Sequence, residues 1–167
     1  LSATAGQGQI VVDSGGQGVD LIPGGSMLST VDVAALIRGG YAGAVVLQPA
    51  QVSPQGDFSH WTTAATPGLF SPGWAWDLAN GPGRVIAIMA HTRADGSANI
   101  VSQCTLPVDG AGCVDIIITA AAVLRVGEQG LVLDAVAPGW HAAPVPARTR
   151  APVLLCSTFP YSSLSPV

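Results

Sequence analysis

Two runs, Ala44-Val45-Val46-Leu47 and Arg84-Val85-Ile86-Ala87-Ile88-Met89, decide how the rest of this sequence is read. Each is short, almost continuously apolar and rich in β-branched residues, and Pro49 closes the first. Runs of this kind are expected of strands covered on both faces, where no position has to meet water. A helical pattern precedes the first run at 31–38. Ser29 and Thr30 can cap it, Val33, Ala34, Leu36 and Ile37 share one face, and Gly39-Gly40 stops it. Strand and helical patterns in alternation predict an α/β fold: an open, mainly parallel sheet with flanking helices, in which 44–47 and 84–89 are neighbouring strands.

Working outward, Gln9-Ile10-Val11-Val12 reads as a short strand and 74–80 as a short helix. Residues 114–119 read as a brief helix. Residues 122–126 and 131–136 read as a hairpin around Gly127-Glu128-Gln129-Gly130. Between 51 and 73 lies a long irregular segment carrying Pro54, Gly56, Pro67, Gly68, Pro72 and Gly73, and loops of that length inside a domain are usually functional. From 138 to 167 Pro, Ala and Ser dominate, and a surface-hugging tail is expected. No internal repeat or boundary interrupts 1–167, so a single domain is expected.

Composition removes several classes of function. Charged residues make up 10% of the chain, against about 25% in an average domain, while 49% are hydrophobic and mean hydropathy is +0.47. A disordered chain has the opposite balance. Net charge is -4 and the six bases are all Arg, too few and too scattered for a nucleic-acid footprint. The apolar run 116–124 is nine residues long and contains Thr119, whereas a spanning helix needs about 20 apolar residues, so no membrane segment is expected. Residues 1–10 lack the pattern of a signal peptide, and a start at Leu1 leads us to expect a missing N-terminal piece. A hydrophobic chain with few charges is expected to hide faces against another subunit. The spacing of Cys104, Cys113 and Cys156 fits no zinc or redox motif, and reduced, buried thiols in a cytoplasmic protein are the expectation.

Chemistry-bearing motifs are sparse. Gly6-Gln7-Gly8 and Gly15-Gly16-Gln17-Gly18 lack the third glycine of a dinucleotide loop. His60, His91 and His141 have no ligand spacing, so no metal is expected. Ser14 lacks the glycine frame of a nucleophile elbow. Gln51, Ser53, Asp57, His60 and Trp61 directly follow a buried strand, and ligands of open α/β sheets bind at the carboxyl ends of strands. The residues alone leave ligand contact and a structural turn equally open for that loop. Glu128 is the only glutamate in the chain, so a mechanism that needs one uses Glu128 or takes it from a partner.

Six ordered motifs carry a resemblance. They are Ile37-Arg38-Gly39-Gly40; Gln51-Val52-Ser53 with Gly56-Asp57 and Trp61; Met89-Ala90-His91-Thr92 with Asp95-Gly96-Ser97; Cys104-Thr105-Leu106-Pro107; Val114-Asp115 with Ile117-Ile118-Thr119; and the stretch 131–139. In this order they resemble the B (beta) component of the 3-oxoacid CoA-transferases of the succinyl-CoA:acetoacetate type, over some seven tenths of the chain. The resemblance implies the open α/β fold shared by NagB, RpiA and the CoA transferases. It also implies coenzyme A thioesters of acyl groups or 3-oxoacids as substrates, no resident cofactor, and an A-type subunit as partner, with a homo-oligomer as the alternative.

The departures bear on catalysis. The family's nucleophile is a glutamate in a Ser-Glu-Asn-Gly motif that forms a thioester with coenzyme A. The comparable place here is Val12-Asp13-Ser14-Gly15-Gly16, which puts Gly15 at the glutamate position and leaves Asp13 as a shorter, displaced carboxylate. The motif's N-terminal surroundings are shortened. Ala90 replaces the family's Glu before His91, Ser59-His60 replaces Ala-Asn, and Trp74 and Trp76 stand in a segment that is glycine-rich in the family. The chain is therefore expected to be a B-type protein whose catalytic carboxylate a partner supplies. A non-catalytic subunit or a component of a CoA-thioester hydrolase is the other reading. Gln51, Ser53, His60, Trp61, Trp74 and His91 are the expected substrate-binding set, converging on one cleft.

Overall fold

The structure is a computed structural model, described here for residues 12, 16–20, 22–60, 75–79, 81, 83–141 and 144–155. Elements follow the order α1 (Thr30–Arg38), β1 (Ala44–Leu47), β2 (Gln51–Val52), β3 (Phe58–Ser59), α2 (Ala75–Ala79), β4 (Arg84–Ile88), β5 (Val114–Ile118), β6 (Ala122–Gly127), β7 (Gly130–Val136), α3 (Pro144–Ala147) and β8 (Val153–Leu155). The chain divides into two compact units, 1–33 and 34–167. In the first, Val12 and Gly18 form an isolated antiparallel bridge, and Ser29 and Asp32 close a reciprocal cap. The Asp32 N–H donates to Ser29 Oγ and the Ser29 N–H to the Asp32 carboxylate, each at 3.2 Å.

Six strands of the second unit form one sheet in the order β1-β4-β5-β6-β7-β8, and β2-β3 is a separate antiparallel pair. β1, β4 and β5 are mutually parallel, β6 and β7 form the expected hairpin, and β8 runs parallel to β7. The core lies on one face, where Val45, Leu47, Val85, Ala87, Val114, Ile117, Leu124, Leu131 and Leu133 pack under Val52, Phe58, Ile100 and Val145. α1 ends as the glycine pair requires. Gly40 takes a φ of 81°, and the Tyr41 N–H reaches back to the Leu36 carbonyl at 3.0 Å.

Several expectations change. Residues 114–119 are not a helix but β5, at the centre of the sheet. Asp115 is an extra residue against β4, since Val85 pairs with Val114 and Ile86 with Ile116. The bulge is held by the Val85 N–H, which donates to the Asp115 carboxylate at 2.8 Å. It puts buried Val114 and Ile117 three residues apart, a spacing that imitates a helix face. The two apolar runs are not covered on both sides: Val46 is 59% and Ile88 47% exposed. The stretch after 138 is no mere surface tail, because Val145 is fully buried and β8 extends the sheet. Within the long segment after β1, 51–59 forms the β2–β3 hairpin, while 61–73 lies outside the described residues, as do 9–11 of the predicted first strand. No helix among the described residues is long and apolar enough to cross a membrane.

Candidate functional site

Because β1, β4 and β5 are parallel, the loops that follow them leave the same edge of the sheet, the edge at which open α/β sheets take ligands. The loop after β1 folds into the β2–β3 hairpin, and its motif residues hold one another. The Gln51 amide reaches across to Cys104-Thr105-Leu106-Pro107. Its Oε1 accepts the N–H of Thr105 at 2.9 Å and of Leu106 at 3.2 Å, and its Nε2 donates to Thr105 Oγ1 at 2.9 Å. Ser53 closes the hairpin turn: its Oγ donates to Asp57 Oδ2 at 3.1 Å and accepts the Asp57 N–H at 3.2 Å. Gly56, at φ 84°, packs so closely on β5 that its carbonyl accepts the N–H of both Cys113 and Val114. Asp57 Oδ1 accepts the Gly112 N–H at 2.9 Å.

Gln51 and Ser53 are thus buried, with their polar groups engaged in the scaffold. His60 differs: its side chain is exposed, while its N–H is fixed to Asp109 Oδ2 at 2.6 Å. Beside Gln51, in register with it on β3, Ser59 is fully buried, and its Oγ has no hydrogen-bond partner among the described residues.

The loop after β4 meets the hairpin through Asn99. The Val52 N–H donates to the Asn99 carbonyl, the Asn99 N–H to the His91 carbonyl, and the Asn99 amide to the Ala90 carbonyl. The His91 ring faces elsewhere, 6% exposed, between Thr119 Oγ1 and Thr149 Oγ1 at 3.1 Å each. Burial above all, with Arg148 adding to it against the Val145 carbonyl, holds its pKa below the ordinary histidine value. Of the predicted binding set, then, Gln51, Ser53 and His60 share one hairpin and His91 is joined to it by backbone alone. Trp61 and Trp74 lie outside the described residues, as do Asp13 and Gly15. The sequence motifs contain Thr105 and Asp57, but nothing in their spacing shows that these residues bind Gln51 and Ser53. Asn99 and Thr149 carry no sequence signal at all.

Cys104 and Cys113 are free, half-buried thiols, each pushed up to about 11 by burial, with the Asp57 carboxylate adding to it. Neither supplies a thiolate nucleophile near neutral pH. Glu128 sits exposed in the β6–β7 turn, at the opposite edge of the sheet from His60, beside a groove of about 530 Å³ that also borders Pro54 and Pro152. The chain's one glutamate thus lies beside the turn of the β2–β3 hairpin, which the groove also borders through Pro54 and Gln55.

The family model for coenzyme A transferase matches residues 5–145. Among curated proteins, the chain is 37% identical over 121 residues to the B component of 3-oxoadipate CoA-transferase from Pseudomonas putida, covering 72% of this chain and 57% of the relative. It is 36% identical over 143 residues to the beta component of acetate CoA-transferase from Escherichia coli, covering 84% and 65%. The chain thus spans somewhat over half the length of these relatives. Among solved structures, an acyl-CoA transferase of Escherichia coli O157:H7 superposes with a TM-score of 0.69 at 17% identity, over 87% of this chain and 32% of that one. The decarboxylase AibA/AibB superposes at 0.61 and 20% identity, over 78% and 55%. These two likenesses establish the fold. With the family match over most of its length and motifs that hydrogen-bond to one another at the expected sheet edge, the chain belongs to the coenzyme A transferase family.

Proposed function

We propose that this chain is a B-type component of a CoA-transferase. It acts on acyl-CoA and 3-oxoacid thioesters together with an A-type subunit that brings the catalytic carboxylate. The observation that carries this reading is the Gln51–Thr105 contact. Two motifs 54 residues apart are joined there by a hydrogen bond, which supports reading this edge as the site. In that reading His60 is the side chain presented outward. Gln51 and Ser53 act as positioning residues, and Trp61 and Trp74 belong to the same proposed acyl-binding set. No glutamate precedes residue 128, so covalent catalysis of the family type needs a carboxylate from elsewhere. The same count favours a second reading, a non-catalytic or hydrolase-type subunit. Unpaired Cys104 and Cys113 suit a cytoplasmic location, which we include in the proposal.

Co-expression with an A-type chain tests both readings. Transfer of coenzyme A from an acyl-CoA to a 3-oxoacid by the complex supports the transferase. Release of free acid and free coenzyme A alone supports the hydrolase, and a stable complex inert in both assays supports the non-catalytic role. The isolated chain is expected to form no covalent adduct with coenzyme A, and a thioester mapped to Asp13 by mass spectrometry would overturn that.

A further inference from the structure

We propose that His91 is a proton-operated clasp: the neutral ring fastens the C-terminal segment 144–155 to the sheet, and protonation loosens it. Three elements meet at the ring. Thr119 comes from the end of β5, Thr149 follows α3, and His91 itself follows β4.

The hydrogen bonds around the ring fix the tautomer of its neutral form. Thr149 Oγ1 donates to the Val145 carbonyl at 2.9 Å, so toward His91 it must accept, and Nε2 carries the hydrogen. Thr119 Oγ1 already accepts the N–H of Ala121 at 3.2 Å and of Ala122 at 3.1 Å, which fills its two lone pairs. With the neutral ring's one proton on Nε2, Nδ1 is bare, and the Thr119 hydroxyl lies within donating reach of both Nδ1 at 3.1 Å and the Ala122 carbonyl at 3.2 Å. A second ring proton would turn the Thr119 hydroxyl toward the Ala122 carbonyl and press a third N–H on an oxygen that already accepts two. Its charge would be buried beside the Arg148 guanidinium, itself stacked 5.0 Å over Trp140. The other groups at the ring, Thr119, Thr149 and the Val145 carbonyl, carry no charge to offset it.

The Arg150 N–H donates to the Ile100 carbonyl at 3.0 Å, Val145 fills a core position, and the three residues of β8 pair with β7 at the sheet margin. The sign follows from linkage. The ring's pKa is lowered when clasped and returns to about 6.5 when released, so the clasp is at full strength above about pH 6.5 and weakens as the pH falls below it.

Amide hydrogen exchange of the whole chain at pH 7.5 and 5.0, corrected for intrinsic rates, reads the clasp directly. Protection over 144–155 is expected to fall severalfold at pH 5.0, because the released ring takes up a proton more readily than the clasped one, while β4 and β5 hold theirs. His91→Gln, which cannot titrate, is expected to abolish the pH step. Thr149→Val, which removes one jaw and leaves the ring, is expected to show low protection at both pH values. Equal protection of the native segment at the two pH values overturns the proposal, and so does a step that survives in either variant.

Discussion

Two rows of residues, adjacent in register but on opposite faces of the sheet, differ in almost everything except composition. On the core face Leu47, Ala87, Ile117, Leu124 and Leu133 run strand to strand, all buried, the last four fully. One position earlier in β1, β4 and β5, Val46, Ile86 and Ile116 start a row that continues through Arg125 and Val132 to Leu154. There Val46 is 59% and Leu154 42% exposed. A strand's side chains alternate between faces, so a continuous apolar run endows both rows alike, but among the described residues only one is filled by a layer of loops and short helices. An apolar run therefore records that neither face is shaped for bulk water. It does not record that the same chain covers both.

Cavity mutations give this contrast its largest expected effect. Leu124→Ala removes a fully buried side chain from the centre of the core row and is expected to cost about 2–5 kcal/mol in denaturant unfolding. Val46→Ala, on the other row, is expected to stay within about 0.5 kcal/mol. Should Val46→Ala cost as much as a core truncation, the open row is covered in solution and the contrast between the faces disappears.

Two glycines with nearly the same backbone separate packing from conformation. Gly56 and Gly96 have φ of 84° and 82°. A Cβ on Gly56 would stand 2.8 Å from the Val114 carbonyl oxygen, whereas one on Gly96 meets nothing within 4 Å. Gly96→Ala is therefore expected to cost about 1 kcal/mol, the conformational share. Gly56→Ala adds the displacement of the hairpin from β5 and is expected to reach about 3 kcal/mol. Equal losses would mean that the hairpin gives way without cost, and that Gln51 and Ser53 are held less firmly than their bonds indicate.

The sequence was legible wherever the period of the chain was undisturbed. α1, with its cap at Ser29 and its stop at Gly40, the parallel pair β1 and β4, and the β6–β7 hairpin all follow local rules. β5 was not legible, because the extra residue at Asp115 shifts the alternation by one and leaves buried positions at helical spacing. β8 was hidden by its Pro-rich surroundings and by a pairing with β7 that depends on contacts from elsewhere in the chain. At the candidate site, motif resemblance located Gln51, Ser53 and Thr105, yet residue type alone could not tell which polar groups face inward. His60 and His91 look alike in sequence. One has its backbone fixed and its ring outside, and the other has both ring nitrogens engaged in the interior.

The smallest effect tests the open row at its one charged position. Arg125 meets Asp134 through two contacts, Nε to Oδ2 at 3.0 Å and Nη2 to Oδ1 at 3.1 Å. Asp134 is the extra residue where β7 bulges against β6. The geometry is bidentate, but both side chains are a third or more exposed, so water and salt screen the attraction. A double-mutant cycle of Arg125→Ala and Asp134→Ala is expected to return a coupling of about 0.5 kcal/mol, shrinking further in molar salt. The same cycle repeated in the presence of an A-type chain discriminates more sharply. If that chain leaves the row in water, the coupling and its salt dependence stay as they are. If it covers the row, salt no longer reaches the pair, the coupling becomes insensitive to ionic strength, and the open face is an interface completed by the partner.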